Sequence, residues 1–251
     1  MKKFLAAGGI LVSIALAGAN LSAAQAALAD APPVKAATIG LNVPQLGTAK
    51  TYAILAESLI ENFGYTDTAS KTGGNDLGIS TTTRLIGWDD RNIVGWYNFN
   101  NDAARKAQDD LSKAYVKASV LPATTINSQL GGRTLKPGVY VSRTGQFWIT
   151  GTLTLDTLGN PNARFVFRVN DSLRTSRHSR VVIKGGKLAC NVFWRVPGIV
   201  TLQNDSIIYG HVMSNTFINT WKNVRVNGQL LARHGGVTVN DAVIDNHVCR
   251  D

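Results

Sequence analysis

The sequence predicts a mainly β chain built as a solenoid of stacked coils, with one long helix laid alongside. Three observations predict it. A single segment carries a helical period. Everything after Gly131 reads as short runs rich in β-branched and aromatic residues, punctuated by Gly, Asn, Asp and Pro. Those runs also resemble one another. Arg164-Phe165-Val166-Phe167-Arg168-Val169 matches Asn191-Val192-Phe193-Trp194-Arg195-Val196, and Val212-Met213-Ser214-Asn215 and Leu230-Leu231-Ala232-Arg233 fit the same slot. The successive steps from Phe165 to Val192, Val212 and Leu230 are 27, 20 and 18 residues. That is room for about three short strands per repeat, as in a solenoid whose coils bury their inward residues against each other. Repetition alone leaves an antiparallel sandwich open.

Taken in order, the chain opens with a targeting pattern. Met1-Lys2-Lys3 is a positive start, Phe4 to Gly18 is apolar, and Ala24-Gln25-Ala26 is a small-x-small cleavage signal. This reads as a secretory signal peptide over residues 1–26, followed by a flexible tail over 27–38 and one domain over 39–251. The apolar run is shorter than the ~20 residues a membrane span needs, and no later run approaches that length. No transmembrane segment is therefore expected after cleavage, and the product should be extracellular or periplasmic.

Composition narrows the class. Of 251 residues, 44% are apolar and 17% charged, so the chain can bury enough surface to fold. Its 24 Gly have no three-residue period and only 7 Pro accompany them, which excludes a collagen-like chain. Two Cys exclude a dense disulfide scaffold and a four-Cys zinc site. Export makes a bond between Cys190 and Cys249 the expectation. It would close a loop of about 60 residues, for which the chain-entropy model gives roughly 4 kcal/mol. The other reading is two buried free thiols.

The helix is predicted over about 103–121. Asn101-Asp102 can cap its start and Pro122 ends it. Ala104, Ala107, Leu111, Ala114, Tyr115 and Ala118 fall on one face, and Arg105, Asp109, Asp110, Lys113 and Lys117 line the other. Such a helix needs an apolar surface to lie on.

The repeats also carry a resemblance. Gly132-Arg133-Thr134-Leu135-Lys136-Pro137-Gly138-Val139-Tyr140, Thr150 to Asp156, Ala163 to Phe167, Cys190 to Trp194 and Gly228 to Arg233 stand in order along the chain. Tyr52 to Ala56 and Asn75 to Ser80 precede them. Together these resemble the ice-binding-protein-like β-solenoid family of secreted proteins, from about Ile39 to Cys249. The resemblance implies a discontinuous right-handed β-helix of triangular section. The helix should pack along one face, and the first coil should lie beside the last. It also implies binding to an ice surface through a flat face, without catalysis and without a cofactor.

An ice-binding face needs a flat, regular array of small hydroxyl, amide and methyl groups, whose ordered water can merge with a lattice. Charges hold water too strongly for that, and bulky groups break flatness. Aligning the strand after each coil's first turn gives Thr154, Arg174, Thr201, Asn219 and Thr238 as one outward column, with Thr152 beside it. Arg174 interrupts the column, and Phe217 and Trp221 roughen its flanks, which predicts weak ice binding. Thr also suits exposed strands with no further role.

A second candidate surface is basic. Arg164, Arg168, Arg174, Arg177, Arg180, Lys184, Lys187 and Arg195 fall within 32 residues and only Asp171 opposes them. Contact with acidic polysaccharide, lipopolysaccharide or nucleic acid is one reading, the first in a cell-surface or matrix adhesion module; a solvated basic face is the other. No nucleic-acid motif accompanies the run, and export argues against that partner.

Catalysis is not expected. Asp89-Asp90 and Asp109-Asp110 are adjacent pairs, and neighbours on a strand point to opposite faces. His178, His211, His234 and His247 show no metal-ligand spacing. No metal is predicted, and a monomer is expected.

Overall fold

Alternation of apolar and polar side chains makes each short run a strand, and stacking of the runs makes the fold. The computed structural model describes residues 44–68, 75–88, 95–186 and 189–246. The leader and tail over 1–38, and Cys249, lie outside the described residues. Cys190 sits in a short turn, Ala189–Asn191.

In chain order the strands are β1 (Tyr52–Ala56), β2 (Leu59–Phe63), β3 (Asp76–Ile79), β4 (Leu85–Ile86) and β5 (Tyr97–Phe99). Helix α1 follows (Asp102–Val120). Then come β6 (Thr124–Ile126), β7 (Thr134–Leu135), β8 (Gly138–Ser142), β9 (Phe147–Ile149), β10 (Thr152–Asp156), β11 (Phe165–Arg168) and β12 (Leu173–Thr175). The remainder are β13 (Arg180–Lys184), β14 (Val192–Val196), β15 (Val200–Leu202), β16 (Ile207–Ser214), β17 (Ile218–Lys222), β18 (Arg225–Ala232), β19 (Gly236–Asn240) and β20 (Val243–Asp245).

The paired strands run parallel and form three faces. Face A has the order β5-β3-β1-β18-β16-β14-β11-β8-β6, and face B the order β4-β2-β19-β17-β15-β12-β9. Face C joins β7, β10 and β13 to the first halves of β16 and β18, and then β20. The parallel pairing settles the solenoid over the antiparallel sandwich. It is a discontinuous β-helix. β1 and β2 stack on β18 and β19, so the first coil lies beside the last as expected.

That topology explains the helix. After β5 the chain stands at one end of face A, and β6 begins at the other, eight strand spacings or about 38 Å away. The 19 residues of α1 cover about 28 Å of that distance. Asn101 caps the start, its Oδ1 accepting the Ala104 N–H at 2.9 Å. The predicted apolar face is buried throughout. Beneath it lie outward side chains of face A, Leu55, Val166, Phe193, Met213 and Leu231, all buried. Gln108 Nε2 ties the helix down by donating to the carbonyls of Ala232 (2.9 Å) and Arg233 (2.5 Å).

Asp110 corrects the helical reading. It was placed on the solvent side, yet it is buried. Its Oδ2 accepts the N–H (3.0 Å) and hydroxyl (2.9 Å) of Thr48, and Lys106 reaches both of its oxygens at 2.7 Å. Lys106 foremost, with the Thr48 N–H, holds this carboxyl well below the usual carboxylate range.

The interior is an aromatic and aliphatic ladder. Tyr140, Phe167 and Trp194 stand in register on face A. The Phe167 and Trp194 rings stack at 4.0 Å between centroids with 8° between planes. Val212 stands opposite Trp194 rather than Val192. The aligned repeat was therefore two residues out, which keeps every side chain on its face because the strand period is two. β16 and β18 turn the corner from face C to face A at Gly210 and Gly228 (φ 105° and 148°), where a Cβ on Gly228 would meet the Gly210 carbonyl oxygen at 2.0 Å.

Candidate functional site

Face A lies under the helix, and face C meets solvent with a mixture of Thr, Arg, Ile, Val and Tyr. Face B presents the regular polar array. Its inward residues Phe147, Leu173, Val200, Ile218 and Val237 are buried in the core, which fixes the next residue of each strand outward. The register gives the central outward column as Trp148, Arg174, Thr201, Asn219, Thr238, Glu61 and Ile86.

Four of the predicted column residues, Arg174, Thr201, Asn219 and Thr238, are therefore in line. Thr154 and Thr152 are not. They belong to β10 on face C, opposite Val182 and Arg180. The place in the column is taken by Trp148 on β9. Phe147-Trp148-Ile149 and Thr152-Leu153-Thr154 alternate alike, and a period of two does not say which face a strand joins. Gly151, at φ 81° in the turn between them, was the signal that one run was two strands.

Beside the column, Thr150 and Ser176 share a hydrogen bond at 2.9 Å. Gln203 follows Thr201 at the same two-residue offset, as Asn240 follows Thr238, and a register shift between Asn219 and Lys222 displaces Trp221. Thr201, Asn219 and Thr238 are half-buried. By contrast Arg174, Trp148, Phe217 and Trp221 stand exposed around them. The small polar array thus spans three strands, or about 10 Å between its outer members.

The basic residues do not form one face. Arg164 lies just before β11. Arg168 and Arg195 point outward on face A in paired register, as predicted, but both are engaged beside the helix. Arg168 Nη1 donates to the Leu121 carbonyl just past the end of α1. Arg195 donates to the Val169 carbonyl at 3.0 Å and stacks on Tyr115 at 4.6 Å from the ring centroid. Arg233 covers the same ring at 4.6 Å. Burial lowers the Arg195 pKa from its ordinary value. Arg174 is on face B and Arg177 in the turn after it. Arg180 and Lys184 are on face C, where Lys184 pairs with Asp156 at 3.0 Å. One coil circles all three faces, so residues close in sequence are dispersed in space.

Among the described residues no three His, Cys, Asp or Glu side chains come together as metal ligands. No described helix is long and apolar enough to cross a membrane.

Other proteins share this arrangement. The sequence profile of the ice-binding-like family matches residues 54–245. An ice-binding protein from Nostoc sp. (strain HG1) is 34% identical over 215 residues, covering 84% of this chain and 76% of that protein. One from Flavobacterium frigoris (strain PS1) is 30% identical over 216 residues, 77% of this chain and 73% of that protein. Among solved structures, an ice-binding protein from an Antarctic biological consortium superposes with a TM-score of 0.75 at 31% identity, over 81% of this chain and 90% of that one. With most of the described solenoid matched, this chain belongs to the ice-binding-like family.

Proposed function

We propose that this protein binds ice through face B, without catalysis, and that its activity is weak. The observation that carries the reading is the in-register column Thr201, Asn219, Thr238 on an uncovered parallel sheet. Parallel pairing sets hydroxyl, amide and hydroxyl about 4.8 Å apart along a straight line. Water held on such a line is ordered without being bound tightly, which is what joining a growing lattice requires. The relatives named above are ice-binding proteins, which supports the same reading.

Weakness follows from the neighbours. Arg174 keeps its charge at any relevant pH and holds its own hydration. Trp148 and Trp221 are large and exposed beside the half-buried Thr and Asn, which breaks the flatness of the face. Partition into a slowly grown ice hemisphere, with microscopy of crystal shape, tests the proposal. Wild type should enter ice to a small extent, and Arg174→Thr should enter more. A surface change of this kind usually leaves stability within about 0.5 kcal/mol. Absence of both variants from the ice would refute ice binding by this face.

The reading includes export after removal of residues 1–26, action outside the cytoplasm as a monomer, and a Cys190–Cys249 bond. The intact mass of secreted protein tests export and the bond together. The account expects the chain to begin near Ala27 and to be two hydrogens lighter than the dithiol. Two free thiols in the native protein would refute the bond.

A further inference from the structure

The residues that spoil face B for ice make something else there. Two contiguous shallow depressions, of about 500 and 470 Å³, share Arg174, Thr201 and Gln203 and form one trough across the strands. Trp148, 47% exposed, lines one end, and Trp221, 52% exposed, stands towards the other. Trp148 is held by its edge: Nε1 donates to Gln146 Oε1 at 3.1 Å, and Gln146 Nε2 donates to Asp171 Oδ2 at 2.6 Å. An exposed indole fixed in this way is a stacking platform. Between the platforms lie amides and hydroxyls, Gln203, Asn219 and Thr201. Arg174 and Arg177 have no carboxylate partner among the described residues.

We propose that this trough is a subsite for a uronate-bearing polysaccharide, laid across the strands of face B. The rise of a pyranose chain is close to the strand spacing, so each coil meets about one ring. Indole faces take the C–H faces of the sugars, amides take their hydroxyls, and the guanidinium of Arg174, with Arg177 at the rim, takes a carboxylate. Besides Asp171, which is engaged by Gln146, two carboxylates lie near the trough. Glu61 stands beyond Thr238 at the far end of the column, and Asp205 sits at the corner, engaged by Asn223 Nδ2 at 3.1 Å. From the run of basic residues in the sequence the site takes Arg174 and Arg177, whereas Arg168 and Arg195 lie on face A and Arg180 and Lys184 on face C. It also does not depend on ice binding.

The test is binding of the exported protein to immobilised polygalacturonate at 0.15 M salt. Polyacrylate serves as a polyanion without rings and dextran as rings without charge. The expected result is binding to polygalacturonate above both controls. Trp148→Ala and Arg174→Thr should each weaken it about tenfold, and Arg180→Thr on face C should leave it within twofold. Equal binding to polyacrylate overturns the proposal, since the exported chain, with 24 basic and 16 acidic residues once Lys2 and Lys3 are removed, attracts any polyanion. So does no binding, or a loss on Arg180→Thr matching that on Trp148→Ala. The two readings of face B separate on Arg174→Thr, which should raise ice uptake while lowering polygalacturonate binding. Failure of either leaves the other standing.

Discussion

His211 sits on face A next to the corner made by Gly210 and is 5% exposed. Its Nε2 donates to the Cys190 carbonyl at 3.1 Å, which places the proton of the neutral ring on Nε2, and it packs against Phe193 at 5.0 Å between centroids. Burial pushes its pKa down to about 4, against the opposing pull of the Cys190 carbonyl and Gln229. The unfolded chain therefore binds a proton near pH 6.5 that the folded chain refuses until about pH 4. Stability from this group is complete above pH 6.5 and declines as pH falls through that window, by on the order of 3 kcal/mol. Melting temperatures between pH 7.5 and 4 should show the decline in wild type and a flatter curve in His211→Gln, which keeps a donor for the Cys190 carbonyl. An equal decline in the variant would assign the effect elsewhere. Nothing at the residue scale of the sequence announces this histidine. Its partner lies 21 residues away, one coil earlier.

At the scale of elements, the helix was readable because its signal is local. Six residues at spacings of three and four define a buried face wherever the helix lies. Leu111, fully buried, is the centre of that face. Leu111→Asp should destabilise the protein by several kcal/mol by burying an unpaired charge against face A. Thermal unfolding measures this, and an unchanged midpoint would contradict the packing. Asp110, next to it, was misread because its partner Thr48 is 62 residues away and leaves no mark on helical spacing. The strands divide in the same manner. Alternation sets the residue before each outward one inward, and Leu173, Val200, Ile218 and Val237 are accordingly in the core. Which face each strand joins depends on where the turns fall, and this is how Thr154 was given the place of Trp148.

At the scale of the molecule, the coils circle three faces and the first coil closes on the last. Both features scatter what the linear sequence gathers. The run from Arg164 to Arg195 looks like one basic surface and is instead divided among the faces. The column Thr201, Asn219, Thr238 is assembled from segments 18 to 19 residues apart and is continuous only in the fold. The central claim is that this column on face B is the ice-contacting surface. Ice uptake by wild type, Asn219→Lys and Thr154→Lys, each checked for an unchanged melting temperature, tests it most directly. The two substitutions add the same charge at half-buried outward positions, one on face B and one on face C. The account predicts that Asn219→Lys abolishes uptake while Thr154→Lys leaves it at the wild-type level. Uptake lost with Thr154→Lys and kept with Asn219→Lys would place the surface on face C and contradict the account.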